Sequence, residues 1–89
     1  MRHRYLEVTF RKGVALAAYL YLPRAAGTLA ASTADGGHGM RVDLGADGKP
    51  IGVEITAPLV TTIAHVNELL LRYGKEPLDS EEWAPLAAA

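Results

Sequence analysis

Met40-Arg41-Val42-Asp43-Leu44-Gly45-Ala46-Asp47-Gly48-Lys49-Pro50-Ile51-Gly52-Val53-Glu54-Ile55 reads as two alternating strands folded around Asp47-Gly48. A two-residue type I′ turn needs positive φ at both central positions, and Asp-Gly is among its preferred pairs. Centring the turn there sets Ala46 against Lys49, Leu44 against Ile51, Val42 against Val53, and Met40 against Ile55. The last three pairs are apolar and share one face. The other face pairs Asp43 with Gly52 and Arg41 with Glu54. A slip of one residue would turn the apolar set to the wrong side, so the pattern specifies its own register. Arg41 and Glu54 are opposite charges across the pair, which contributes roughly 0.2–1 kcal/mol.

The rest of the chain extends this hairpin into a sheet. Tyr5–Phe10 alternates, with Leu6, Val8 and Phe10 on one side and Tyr5, Glu7 and Thr9 on the other. That is a half-buried strand. After Arg11-Lys12-Gly13 comes Val14–Leu22, apolar on both sides. Leu16, Leu20 and Leu22 share one face, and Ala15, Ala17, Tyr19 and Tyr21 the other. A strand apolar on both faces belongs inside a sheet. A three-residue turn at 11–13 would pair Phe10 with Val14, Val8 with Leu16 and Leu6 with Ala18. Leu29–Ala34 is a weaker third strand, and Asp35-Gly36-Gly37-His38-Gly39 a turn.

A helix follows over 61–74. Thr61 or Thr62 suits its N-cap, Ile63, Val66, Leu69, Leu70 and Tyr73 form one apolar stripe, and Gly74 stops it. Glu68 and Arg72 stand four apart on its polar side. Asp79, with Glu82 three residues on, opens a short helical tail over 79–86 that Pro85 limits. The fold class is therefore α+β. It is an antiparallel β-meander of about five strands (5–56) with a C-terminal helix on one face and a short helical tail, all in one domain spanning 1–89.

Size and composition bear on function. A chain of 89 residues buries only about 60% of its unfolded surface. It has no cysteine to reinforce it, yet 49% of its residues are apolar. That combination points to apolar surface shared with a partner. The longest apolar run, Val14–Pro23, is far shorter than the roughly 20 residues of a membrane helix. The N-terminus enters a strand directly, without the pattern of a secretory signal. A bacterial-type cytoplasmic protein with no membrane partner is the expectation.

The net charge of −1 hides an asymmetry. Residues 1–24 carry Arg2, Arg4, Arg11, Lys12 and Arg24 against Glu7, whereas residues 25–89 carry four basic and nine acidic side chains. Uneven solvated positions explain this most simply. Its sharper reading is a basic edge that meets an acidic partner, a nucleic acid or the acidic C-terminal part of a second subunit.

No constellation points to catalysis. His3, His38 and His65 lie on separate segments, and the pair His65 and Glu68 at i, i+3 is not a metal site by itself. Gly36-Gly37-His38-Gly39 is followed by no Lys-Ser or Lys-Thr and by no helix, as a phosphate cradle requires. Asp43 and Glu54 share a face as a candidate carboxylate pair, but Arg41 already faces Glu54. The pattern also shows no dry pocket to raise a carboxyl pKa. Ser32 and Ser80 lack a nucleophile context. The reading is of a non-enzyme with no catalytic, cofactor-binding or metal-binding residues.

Two binding readings remain. In the first, the chain is a homo-oligomeric interaction module, a dimer being favoured. It binds through Tyr19 and Tyr21 on the outer face of the second strand, or through Trp83 and Leu86 on the tail. Trp is costly to leave in water and common at interfaces. The tail either tucks onto its own domain or latches onto another subunit. In the second, Arg2, Arg4, Arg11 and Lys12 form a phosphate-binding edge for nucleic acid, ranked lower because the domain is not basic overall.

Val14-Ala15-Leu16-Ala17-Ala18-Tyr19-Leu20, together with Val42-Asp43-Leu44-Gly45-Ala46-Asp47-Gly48-Lys49-Pro50-Ile51-Gly52-Val53-Glu54-Ile55, resembles a family of small bacterial proteins catalogued as domain of unknown function 2283. The likeness covers roughly residues 5–57 and is strongest at Gly52-Val53-Glu54-Ile55. At the first turn, Arg11-Lys12-Gly13 stands where the family usually has an acidic segment. The resemblance implies a small, mostly β, oligomeric domain with no established activity. It also carries an antitoxin reading, with a toxin as the protein partner.

Overall fold

A computed structural model describes residues 3–87. Five strands and two helices run in the order β1 (Tyr5–Arg11), β2 (Val14–Tyr21), β3 (Ser32–Gly37), β4 (Met40–Leu44), β5 (Pro50–Ile55), α1 (Ile63–Arg72) and α2 (Ser80–Ala87). All strand pairs are antiparallel, so the α+β class with its C-terminal helices is as expected. The strands lie side by side as β1-β2-β5-β4-β3. The chain thus leaves β2, crosses to the far edge at β3, and returns through β4 to set β5 beside β2. Only β3-β4-β5 is a meander in strict order.

The β4–β5 register is the expected one over most of its length, with Met40 opposite Ile55, Arg41 opposite Glu54, Val42 opposite Val53 and Asp43 opposite Gly52. It then shifts, and Leu44 faces Pro50 rather than Ile51. The turn explains the shift. Gly48 alone takes positive φ, at 78°. Gly48 N–H donates to the Gly45 carbonyl at 2.9 Å, and Gly45 N–H to the Lys49 carbonyl at 2.9 Å. This is a turn over Gly45–Gly48 closed by a glycine bulge, not a two-residue type I′ turn. The Asp47 carboxylate holds it by accepting from Lys49 N–H at 3.0 Å.

The type I′ signature lies instead in the first hairpin. Lys12 and Gly13 both have positive φ, 52° and 77°. The turn therefore holds two residues, not three, and Arg11 faces Val14, Phe10 faces Ala15 and Leu6 faces Leu20. A bulge at Leu16, between the Phe10–Ala15 and Thr9–Ala17 pairs, reverses the phase of β2. Ala18, Leu20 and Leu22 point into the core and Ala15 joins them, while Leu16, expected with Leu20, is 50% exposed.

The third strand also departs from its expected span. It starts at Ser32, and Leu29 is 81% exposed in the loop before it. Asp35 and Gly36, expected in a turn, continue the strand, and a Cβ at Gly36 would press on Leu69 and Met40. That glycine serves close packing rather than a turn.

Both helices lie on one face of the sheet. Val66, Leu69 and Leu70 of α1 join Leu20, Leu22, Met40, Val42, Val53 and Ile55 in the core. Thr62 caps α1. Its hydroxyl accepts from His65 N–H at 3.2 Å, and its own N–H donates to His65 Nδ1 at 3.1 Å. Arg72 donates to the Gly36 carbonyl at 3.0 Å, tying α1 to β3. The chain then turns at Gly74, and Asn67 anchors the loop by accepting from Leu78 N–H at 2.7 Å. Asp79 and Glu82 form a reciprocal capping box at the start of α2, which packs on β1. Among the described residues, no helix is long and apolar enough to cross a membrane.

Candidate functional site

The face opposite the helices is uncovered, and the register arranges it in two rows. Tyr5, Tyr21, Gly52, Asp43 and Thr33 face one another in turn across the five strands. Beside them run Glu7, Tyr19, Glu54, Arg41 and Asp35. Three tyrosines gather on the β1–β2 side. The Tyr5 and Tyr21 rings stack at 4.6 Å between centroids with 14° between planes, and Tyr19 meets Tyr21 at 4.7 Å and 56°. The Arg24 guanidinium lies 6.0 Å from the Tyr21 centroid.

Polar contacts fix these rings. Tyr19 donates its phenolic hydrogen to Asp43 Oδ2 at 2.6 Å, and Thr33 donates to the other oxygen at 3.1 Å. Tyr21 reaches Glu7 Oε1 at 3.3 Å. The Tyr19 ring lies over Gly52, where a Cβ would collide with its hydroxyl and ring carbons. Gly52, which the sequence offers as one more residue opposite Asp43, is thus the floor of an aromatic site. Burial, followed by the hydrogen bond to Asp43, pushes the Tyr19 phenol well above its ordinary pKa. Burial and the nearby Glu7 carboxylate raise Tyr21 as well. Both phenols are therefore held neutral, as hydrogen-bond donors rather than bases.

That chemistry suits contact rather than catalysis. Asp43 has one oxygen on Tyr19 and the other on Thr33, and is not poised beside Glu54 as an acid–base partner. Arg41 and Glu54 face each other in register without closing into an ion pair. Among the described residues, no group of three or more His, Asp or Glu side chains is arranged to hold a metal. His38 and His65 do come together, stacked at 3.8 Å and 5°, beside the α1 cap.

The other expected site residues are dispersed. Leu86 is buried in the core of its own chain, and Trp83 packs half-buried against the same cluster. The tail therefore packs on its own chain, where Leu86 is buried and Trp83 is the more exposed of the two expected interface residues. The basic edge is also divided. Arg4 donates through Nε and Nη2 to the Glu82 carboxylate at 2.6 and 3.0 Å, and to the Glu76 and Pro77 carbonyls at 2.6 and 2.8 Å. That hydrogen bond draws the Glu82 pKa below its usual value and raises that of Arg4. Arg11 and Lys12 lie at the opposite end of β1, about 23 Å away at ~3.3 Å per residue, and Arg2 lies outside the described residues. Arg4 is a clamp for the tail, and Arg11 and Lys12 lie apart from it.

Tyr5, Glu7, Thr33, Asp43 and Gly52 belong to the tyrosine site but are not legible as such from the sequence. Alternation sets Tyr5 and Glu7 on the outer face. Aligning Tyr21 with Gly52 requires knowing that β2 pairs with β5. A second exposed apolar group, formed by Val14, Leu16, Leu59 and Val60, lines an open groove of about 340 Å³ between the first hairpin and the loop before α1. No protein-family model, curated protein or solved structure matches this chain.

Proposed function

We propose that this chain is a protein–protein interaction module that works as a homo-oligomer and offers the open sheet face to a partner protein. The observation that carries this is the stacked, hydrogen-bonded cluster of Tyr5, Tyr21 and Tyr19. Rigid, half-exposed aromatic side chains lose little entropy on binding and are the residue type enriched at binding hot spots. Glu7, Asp35, Asp43 and Glu54 outnumber Arg41 in the rows around them, so the face suits a partner with basic side chains among apolar ones. The same charge disfavours nucleic acid on this face. The alternative, phosphate binding, is left with Arg11 and Lys12 at the hairpin tip. The resemblance to the family of domain of unknown function 2283 makes a toxin one partner of this kind, and that assignment is likewise a proposal.

The test is quantitative capture with the full chain. A partner is identified by cross-linking in native lysate, purified, and titrated against the wild type and against Tyr5→Ser/Tyr21→Ser. Loss of affinity on the order of a hundredfold, with the fold intact by circular dichroism, supports the reading. Unchanged affinity removes it. Binding of a duplex oligonucleotide that weakens steeply with salt and is abolished by Lys12→Glu would establish the alternative instead.

A further inference from the structure

We propose that β1 is a self-pairing edge. Two copies of this chain join β1 to β1, antiparallel, about a two-fold axis at Thr9, so that their sheets become one. The proposal concerns the backbone edge of β1, which shares Glu7 with the tyrosine site, and it deepens the homo-oligomeric part of the function proposed above.

β1 ends the sheet on one side, and its seven residues contain neither proline nor glycine. The bulge in the first hairpin falls in β2 and leaves β1 regular. Natural edges are commonly blunted by proline, by a bulge or by a covering segment. Here α2 and the Arg4–Glu82 clamp occupy the N-terminal end of β1, where Leu6 is buried, and Glu7–Arg11 is left open. A two-residue turn makes Arg11 and Val14 a hydrogen-bonded pair. Alternation then turns the backbone N–H and C=O groups of Leu6, Val8 and Phe10 outward, away from β2.

Charge and apolar pattern select the register. About Thr9, Glu7 of each copy faces Arg11 of the other, twice by symmetry, and Val8 faces Phe10. Phe10 is 48% exposed and Val8 only partly covered, so this pairing hides the apolar residues that the helices leave uncovered. Other registers do worse. An axis at Val8 sets Glu7 against Thr9 and leaves the charges unmatched. An axis at Glu7 places like carboxylates together, and one at Phe10 puts Arg11 against Thr9. An axis between residues would set the core side of one sheet against the open side of the other. At the opposite edge, β3 reads Ser-Thr-Ala-Asp-Gly-Gly, with an irregular register at Asp35–Gly37 and no comparable apolar pair.

Sedimentation of the full chain over a concentration series tests this with two charge reversals. Glu7→Arg makes both charges of the edge positive, and Arg11→Glu makes both negative. Each variant alone should sediment as a monomer, with a dimer dissociation constant raised on the order of a hundredfold. Mixed, the two complement each other at both contacts and should form a heterodimer near wild-type strength. A wild type that stays monomeric at millimolar concentration overturns the proposal. So does a dimer that survives both reversals, or a mixture that fails to pair while both variants remain folded. Loss of partner binding in Tyr5→Ser/Tyr21→Ser with the dimer intact separates this proposal from the one about the open face.

Discussion

The two hairpins of this sheet invert what their turn residues advertise. Asp47-Gly48 has the favoured composition for a type I′ turn but sits in a wider turn with one residue at positive φ. Lys12-Gly13 has an unremarkable composition and adopts positive φ at both positions. The wider turn shifts only the last pair of its hairpin, because Met40, Val42, Val53 and Ile55 hold the register from the core side. In the first hairpin, β2 is apolar on both faces, so its pattern does not choose between registers. The bulge at Leu16 then decides which leucine is buried. Turn chemistry yields where one face specifies the register, and governs where neither does.

The largest test of this difference compares two leucines in β2. Leu20 is 1% exposed and surrounded by core side chains, so Leu20→Ala should cost about 2–5 kcal/mol. Leu16→Ala, four residues earlier on the same strand, should change stability by no more than about 0.5 kcal/mol. Urea denaturation measures both. Similar losses at the two sites would mean that the phase of β2 is not reversed.

Next in size is Gly52→Val, in the better specified hairpin. The added side chain must displace the Tyr19 ring and break its hydrogen bond to Asp43, which should cost about 1–3 kcal/mol. Tyr19→Phe keeps the ring and removes only the hydroxyl, so it should cost less. The raised Tyr19 pKa adds a sign. A phenol whose folded pKa lies above its unfolded value of about 10 contributes stability in full below that value and loses it as pH rises beyond. Tyr19→Phe should therefore destabilise at pH 8 and narrow its gap to the wild type above pH 10, as followed by thermal melts.

These contrasts mark what the sequence makes legible. Alternation in residues 40–55 identifies the core face because every second residue is apolar and the intervening ones are polar. The stripe at Val66, Leu69 and Leu70 likewise places α1, and Thr62 and Gly74 its ends. The β2–β5 pairing is not legible, because it joins residues more than thirty apart with no local signal. The tyrosine site depends on that pairing, since Asp43 and Gly52 meet Tyr19 only once β5 lies beside β2. Arg4 reads as one member of a basic run for the same reason. Its partner is 78 residues away, and only the packing of α2 on β1 brings Glu82 to it.

That long-range clamp, which ties α2 to the start of the first hairpin, gives a smaller prediction. Glu82→Gln weakens the ion pair and the α2 cap together. Because the pair is partly exposed, the cost should be about 0.5–1.5 kcal/mol at neutral pH. The folded pKa of Glu82 lies below its unfolded value, so this stability is present above about pH 4.3 and is lost as pH falls through the folded value. Wild type and variant should melt apart at pH 7 and converge under acid. A gap that persists at pH 2 would assign the effect to packing instead of charge.

The smallest effect returns to the turns themselves and has the opposite sign. Lys12 occupies the left-handed region at φ 52°, a conformation that costs an ordinary side chain about 1–2 kcal/mol and asparagine less. Lys12→Asn creates the Asn-Gly pair that a type I′ turn prefers, so it should stabilise by a few tenths to about 1 kcal/mol. Lys12 is exposed, which leaves backbone conformation as the cause. Asp47→Asn in the other turn makes the same dipeptide and should give no such gain, because Asp47 does not take positive φ and its carboxylate already holds Lys49 N–H. Paired denaturation curves decide it. A gain at position 12 alone places the type I′ turn in the first hairpin, whereas a gain at position 47 would return it to the stretch whose composition promised it.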